Sequence, residues 1–134
     1  MAGKESFREI FAALKPIFEK YAGRLAVQVD KPDQYFLETK TAIRNGKHLQ
    51  FGGVKIGKAY VSFHLMPIYM NPKLQAAISP ELKKRMQGKS CFNFTNVEPA
   101  QIAELKKLTA AGFEEFKTWP ARFAATQIYF VTSL

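Results

Sequence analysis

The stretch Lys58-Ala-Tyr-Val-Ser-Phe-His-Leu-Met-Pro-Ile-Tyr-Met70 decides the fold, and it lies near the middle of a chain of 134 residues. Its first half alternates apolar with polar side chains, which is the period-two pattern of a β-strand with two different faces. The apolar side chains are Val61, Phe63 and Leu65, and the polar ones are Tyr60, Ser62 and His64. The apolar face can anchor a core, so any chemistry is expected on the polar face.

Three further strands are predicted to precede this one, because the same alternation recurs in residues 25–30, 35–43 and 49–56. Lys31-Pro32-Asp33-Gln34 has the chemistry of a turn. Asn45-Gly46 is typical of a type I′ hairpin, whose two central residues need positive φ angles. Gly52-Gly53 indicates a β-bulge. Four strands joined by such short turns form an antiparallel meander.

A first helix is predicted before the meander, from apolar residues that recur every three or four positions between Phe7 and Tyr21. Ser6 is expected to be its N-cap, with Glu9 completing a capping box, and Gly23 is expected to end it. Pro16 interrupts the pattern, since an interior proline costs about 3 kcal/mol. The helix is therefore either kinked at this residue or divided into two pieces that pack as one unit.

Short helices are predicted after the meander. Asn71 and Ser79 are suitable caps for helices over residues 73–77 and 80–86, and Gly88 is expected to end the second. Residues 91–94 then form a short strand.

The last long helix is predicted to begin at Glu98-Pro99 and to end at Trp119-Pro120. Its apolar stripe contains Ile102, Leu105, Leu108, Phe113 and Phe116. Residues 121–134 are apolar without a clear period, and no element is assigned to them.

This order of elements predicts an α+β fold in one domain spanning residues 1–134, with its core in about residues 6–118. We expect a four-stranded antiparallel meander plus a short fifth strand, with the helices packed on one face. The residues expected beneath the helices are Leu25, Val27, Val29, Leu37, Leu49, Phe51, Val61, Phe63 and Leu65. Those expected on the opposite face are Gln28, Glu38, Lys40, His48, Gln50, Tyr60, Ser62 and His64.

The composition indicates a basic protein with a formal net charge of +9 and a single cysteine, Cys91. One cysteine excludes an intrachain disulfide and, together with an N-terminus that lacks a signal peptide, predicts a cytoplasmic protein. No apolar run approaches the roughly 20 residues that span a bilayer, so no membrane partner is expected. The charge indicates either a lysine-rich soluble surface or attraction to a polyanion such as nucleic acid.

The polar face of the sheet is the predicted ligand-binding site, formed by Tyr60, His64, His48, Gln50 and Glu38. Tyr60 and His64 lie about 13 Å apart along a strand, so a site around His64 needs His48 or Glu38 from a neighbouring strand. The alternative is an ordinary polar sheet face without a ligand.

A second candidate site is an anion-binding cluster formed by Lys83, Lys84, Arg85 and Lys89. Gly88-Lys89-Ser90 resembles the end of a phosphate-binding loop, but that motif needs a glycine at position 83 and a preceding strand. We therefore exclude a nucleotide-binding loop. Any anion here would be held by cationic side chains, because a helix C-terminus repels it.

No catalytic, cofactor or metal motif is found, and the chain is expected to be a binding domain rather than an enzyme. Lys89 and Arg85 are close enough in sequence to Cys91 to lower its pKa and make a reactive thiolate. The simpler interpretation is a small buried core residue between phenylalanines. Neither the ligand nor the oligomeric state follows from the sequence.

The segments Tyr60-Val-Ser-Phe-His-Leu-Met-Pro67 and Lys89-Ser-Cys-Phe-Asn-Phe94, followed by the helix from Pro99, resemble the YdhG-like family of small bacterial domains of unknown function. The resemblance covers roughly residues 6–118 and implies a frataxin-like fold with an open sheet face. It also implies an iron-handling role through an acidic ridge. This chain departs from that pattern, because its first helix has only three acids and hard iron sites need clustered oxygen ligands.

Overall fold

The computed structural model describes residues 4–40 and 48–118, which form five helices and six strands. The helices are α1 (Lys4–Glu19), α2 (Met66–Met70), α3 (Pro72–Ala77), α4 (Pro80–Lys83) and α5 (Pro99–Phe116). The strands are β1 (Ala26–Lys31), β2 (Gln34–Glu38), β3 (Gln50–Ile56), β4 (Val61–Leu65), β5 (Met86–Gln87) and β6 (Cys91–Phe94). They form one antiparallel sheet in the order β1-β2-β3-β4-β6-β5. The predicted α+β class is confirmed.

The sheet has six strands within the described residues, not the five that were predicted, because the chain turns back at Gly88. The helix predicted over residues 80–86 ends at Lys83, and Met86–Gln87 instead pairs with β6. Gly88 has a φ of +76°, which a glycine adopts without strain. It therefore forms the hairpin turn between β5 and β6. The prediction that Gly88 ends a helix is wrong.

Helix α1 is one continuous element that includes Pro16, so the two-piece alternative is wrong. It begins at Lys4, which places Ser6 inside the helix and not at its N-cap. It also ends at Glu19, four residues before the predicted end at Gly23. The apolar stripe continues on both sides of Pro16, and packing against the sheet offsets the missing backbone hydrogen bond.

The core lies between the sheet and the helices, and aromatic rings fill much of it. The Phe18 ring lies 4.8 Å from Phe63 and 6.0 Å from Phe51, measured between ring centroids. Phe51 also contacts Phe116 of α5 at 5.0 Å. Edge and tilted contacts at such distances add about 0.5–1.5 kcal/mol each beyond the area they bury. Helices α1 and α5 are thus joined to the sheet, and to each other, through one aromatic cluster.

The predicted division of the sheet into two faces is confirmed for most strands. Leu25, Leu37, Phe51, Val61, Phe63 and Leu65 are buried on the helix side, and Leu49 packs at its edge. The bulge in β3 lies just before the predicted position of Gly52-Gly53, because Leu37 pairs with Gly52 and Glu38 with Gln50, which leaves Phe51 as the extra residue.

The division is wrong for β1, where a second bulge changes the register between Val27 and Val29. Val29 pairs with Phe36 on the side away from the helices, whereas Asp30 pairs with Tyr35 on the helix side. The Asp30 carboxylate accordingly lies 3.5 Å from Lys15 of α1. Val27 is 45% exposed on this edge strand and is not covered by the helices. An extra residue in a strand exchanges the two faces beyond it.

The later helices follow their predicted signals. Asn71 and Ser79 cap α3 and α4 through their side-chain oxygens, and Glu98 begins α5 with a capping box to Gln101. The stripe of α5 is buried at Leu105, Leu108, Phe113 and Phe116, with Ile102 at its edge. No helix among the described residues has the length and apolar character needed to cross a membrane.

Two predictions fall outside the described residues, namely the hairpin at Asn45-Gly46 and residues 121–134. Helix α5 ends at Phe116, three residues before the predicted end at Trp119-Pro120. In the described part of the chain, β2 ends at Glu38, before the predicted limit of Ile43.

We expect Phe18→Ala to lower the free energy of unfolding by about 3–5 kcal/mol, because it removes a fully buried ring from the aromatic cluster. Urea denaturation monitored by circular dichroism measures the change in the free energy of unfolding. Arg8→Ala, at an exposed position of the same helix, is the control and should change it by less than about 0.5 kcal/mol. A loss below about 1 kcal/mol for Phe18→Ala would contradict this description of the core.

Candidate functional site

The helices pack on one face of the sheet, where α1 contacts β2, β3 and β4, and α5 contacts α1, α2 and α3. We call the opposite sheet surface the open face; it carries Phe36, Lys55, Ser62, His64, Cys91 and Asn93. Strand alternation assigns these side chains, because their neighbours Leu37, Val54, Phe63 and Phe92 are buried on the helix side. The polar residues of the sheet therefore collect on one surface.

Pairing of β4 with β6 brings His64 opposite Cys91 and Ser62 opposite Asn93. The Leu65 backbone N–H donates to the Ser90 carbonyl at 2.9 Å, so hydrogen-bonded and non-hydrogen-bonded pairs alternate from that point. The two polar pairs occupy the non-hydrogen-bonded positions, where side chains approach most closely. Direct side-chain contact between the two strands follows from this register.

Asn93 is the centre of the resulting hydrogen-bond network. Its Oδ1 accepts from Ser62 Oγ at 2.9 Å, and the thiol of Cys91 approaches the same oxygen at 3.7 Å. Its Nδ2 donates to Gln87 Oε1 at 2.6 Å on the edge strand β5. Beside this network, Ser90 Oγ lies 3.4 Å from His64 Nδ1. Three strands thus contribute to one half-buried polar patch, which we call the Asn93 network (Ser62, Gln87, Cys91 and Asn93).

The environment keeps both titratable groups of this region neutral. Burial raises the pKa of the Cys91 thiol, although a hydrogen bond with Ser62 acts in the opposite direction. Burial lowers the pKa of His64, because the protonated imidazole loses hydration there. A thiolate–imidazolium pair needs the reverse of both shifts. The arrangement is therefore suited to hydrogen bonding and not to nucleophilic attack.

The predicted site residues Glu38, His48 and Gln50 lie together at one corner of the sheet. Glu38 and Gln50 are paired across β2 and β3, and His48 Nδ1 lies 3.8 Å from a Glu38 carboxylate oxygen. The same ring nitrogen contacts the Thr39 carbonyl at 2.5 Å. Gln50 Nε2 donates to Gln28 Oε1 at 2.9 Å.

The other two predicted residues lie away from that corner. His64 belongs to the row of Phe36 and Gly53 in the centre of the sheet. Tyr60 precedes β4, where its carbonyl accepts from the Gly57 N–H at 2.8 Å and closes the β3–β4 turn. The five residues predicted to form one site are therefore spread over three parts of the sheet.

The predicted anion-binding residues Lys83, Lys84, Arg85 and Lys89 are all exposed, but they do not point to a single place. Lys83 and Lys89 line an open cleft of about 530 Å³ between α3 and the β5–β6 hairpin, with Ile78 and Met86 among its walls. Lys84 lies 3.7 Å from Glu81. Arg85 accepts a backbone hydrogen bond from Asn93 at the edge of the sheet.

The predicted site residues do not include Asn93, Gln87 or Ser90, and Cys91 is predicted only as a reactive thiol or a core residue. A signal existed in Cys91-Phe-Asn-Phe94, since its alternation places Cys91 and Asn93 on one face. The pairing with β4 could not be predicted, because more than twenty residues separate the two strands. Among the described residues, no group of three or more His, Cys, Asp or Glu side chains could hold a metal ion.

No family model, curated protein or solved structure matches this chain. The YdhG-like resemblance accordingly stays a prediction.

We expect the stability of the fold to decrease as the pH falls below about 6.5, in part because of His64. Its folded pKa lies below the ordinary value of 6.5, so the unfolded chain binds the proton more readily and acid favours unfolding. His64→Gln should flatten the fall in melting temperature between pH 7.5 and 5. The control is Asn96→Ala, which changes an exposed loop position without an ionisable side chain and should keep the wild-type slope. If the melting temperatures of wild type and His64→Gln fall in parallel with pH, His64 does not contribute to the acid destabilisation.

We expect Cys91 to react with iodoacetamide more slowly in the folded protein than in urea, because its raised pKa leaves less thiolate at neutral pH. Since it is the only cysteine, mass spectrometry reports its reaction directly. Ser62→Ala should slow the reaction further, because it removes the hydrogen bond that lowers this pKa. A folded protein that reacts faster than the unfolded chain would overturn the assignment of a neutral thiol.

Proposed function

We propose that this chain is a small cytoplasmic binding domain without enzymatic activity, which holds a small molecule or a protein segment on the open face of its sheet. The proposal rests on one observation. The polar side chains of β4, β5 and β6 are joined on the surface opposite the helices, in the Asn93 network.

The geometry of the Asn93 network favours hydrogen bonding to a ligand. An asparagine amide offers two donors and an acceptor oxygen with two lone pairs. Within the network, Nδ2 of Asn93 uses one donor toward Gln87, and its Oδ1 is shared by Ser62 and Cys91. These bonds hold the amide in one orientation, so a ligand would meet a preorganised group and would not have to order it.

A binding role is also supported by the charge states of Cys91 and His64. Both are neutral near pH 7 for the reasons of burial given above, and the two lie on facing positions of β4 and β6. A catalytic nucleophile or base would need a pKa tuned toward the working pH. The free thiol in a region without a disulfide suits the reducing cytoplasm.

The order of elements supports membership of the YdhG-like family as a further part of this proposal. A helix, a strand meander, short helices, a strand after Lys89 and a closing helix occur in the described residues. An iron-handling role receives no such support, because the part of the chain that the structure describes contains no cluster of acidic ligands.

The proposal predicts that small polar fragments bind the open face. A fragment library is screened by ¹H–¹⁵N correlation spectroscopy of the protein. The chemical-shift changes that binding fragments cause should concentrate at His64, Asn93 and Gln87. Asn93→Ala should remove those shifts, because the amide that orients the network is lost. The matched control is Asn96→Ala, at an exposed loop position, which should leave the shifts unchanged.

Two results would contradict the proposal. In the first, the fragments change the chemical shifts of residues in the cleft beside Lys83 and Lys89 and not those of the sheet. In the second, Asn93→Ala and the wild-type protein bind the same fragments equally.

A further inference from the structure

The cationic residues of the sheet form a line that is not visible in the sequence. The register places Lys31 opposite Gln34, Gln34 opposite Lys55, and Lys55 opposite Ser62. Ser62 then pairs with Asn93, whose backbone N–H donates to the Arg85 carbonyl at 2.7 Å. One row therefore crosses the whole sheet. We call it the basic row, and it consists of Lys31, Gln34, Lys55, Ser62, Asn93 and Arg85.

The three cations of the basic row are exposed and well separated. With neighbouring strands about 4.8 Å apart, Lys31 and Lys55 are about 10 Å from each other, and Lys55 and Arg85 about 14 Å. Within the described residues, no carboxylate forms an ion pair with any of the three. Their charge is thus directed outward, toward a partner with several negative charges in a line.

An aromatic ring lies beside this row. Phe36 is two residues from Gln34 on β2, which places it about 7 Å away on the same face. Its ring covers Gly53, where an added Cβ would collide with the ring and with the Tyr35 carbonyl. Phe36 is only partly buried. A ring that rests on a glycine in this way can present its outer side to a planar ligand.

Amide side chains lie at opposite ends of the open face, and the acid nearest the ring is Glu38, two residues from Phe36 on β2. Gln28 and Gln50 are hydrogen-bonded to each other at one end, and Asn93 and Gln87 at the other. Glu38 lies at the corner with His48, and Asp33 lies in the β1–β2 turn. Planar rings, amides and separated cations are the groups that bind bases and phosphates of a single strand. A duplex would bring phosphates but would hide the faces of its bases.

We propose that the open face binds single-stranded nucleic acid, with a base stacked on Phe36 and the phosphates along Lys31, Lys55 and Arg85. This inference rests on the proposed function only in taking the open face as a binding surface, and it assigns to that surface a ligand class other than a small molecule or a protein segment. It differs from the predicted Lys83–Lys89 cluster, because only Arg85 is common to the two sets.

The test is fluorescence anisotropy of a labelled oligo(dT) of about 12 nucleotides, titrated with the full chain at several salt concentrations. Three phosphate contacts predict a log–log slope of about −2 for a single strand, and Lys55→Gln should make it shallower by about 0.7. Phe36→Leu should weaken binding about 5- to 150-fold without changing the slope, because it removes stacking and not charge. Melting temperatures confirm that each variant is folded.

The charge control is Lys106→Gln, which removes the same charge from an exposed position of α5. Equal losses for Lys55→Gln and Lys106→Gln would show attraction by net charge alone and would overturn the proposal. So would duplex DNA that binds as tightly as the single strand, a larger loss for Lys89→Gln than for Lys55→Gln, or no binding. If fragments still change the chemical shifts of open-face residues in any of these cases, the proposed binding function is kept and only nucleic acid is excluded as the ligand.

Discussion

The two adjacent glycines of β3 allow an aromatic ring to lie against each face of the same strand. A Cβ at Gly52 would come within 2.9 Å of the Phe18 ring, and one at Gly53 would collide with the Phe36 ring. Helix α1 can therefore approach the sheet closely at Gly52, while Phe36 lies flat at Gly53. Because Phe18 also contacts Phe51 and Phe63, the helical layer depends on the first glycine. The shape of the open face depends on the second.

The open face combines polar side chains with partial burial, and this combination limits its chemistry. A half-buried polar group is costly unless it forms hydrogen bonds. The Asn93 network meets that cost with contacts between neutral groups, from Ser62 through Asn93 to Gln87. The same low polarity of the surroundings disfavours the charged forms of Cys91 and His64. Such a surface favours hydrogen bonds between neutral groups over proton transfer at neutral pH.

The local parts of this fold could be predicted from the sequence, because they depend on neighbouring residues. The alternation of Val61, Phe63 and Leu65 and the caps Asn71, Ser79 and Glu98 are signals of this kind.

Features that depend on residues distant in sequence could not be predicted. The pairing of Cys91 with His64 needs the α2–α4 segment to return the chain to the sheet. The bulge near Val27 is set by how β1 meets β2, and it exchanges Val29 and Asp30 between the faces. The Asn93 network is formed by such pairing, so the sequence did not predict it as a site.

The distribution of the basic residues also depends on pairing between residues that are distant in sequence. In the sequence, Lys83, Lys84 and Arg85 form the only run of three consecutive cations, and Lys31 and Lys55 appear isolated. In the fold, the run is divided between a cleft, an ion pair and the sheet edge, whereas Lys31 and Lys55 come into one row with Arg85. A sheet brings together residues of the same register, whatever their separation along the chain. For a basic β-sheet protein, the cations that can act together are therefore identified by strand register, and a cluster in the sequence is a poor guide to them.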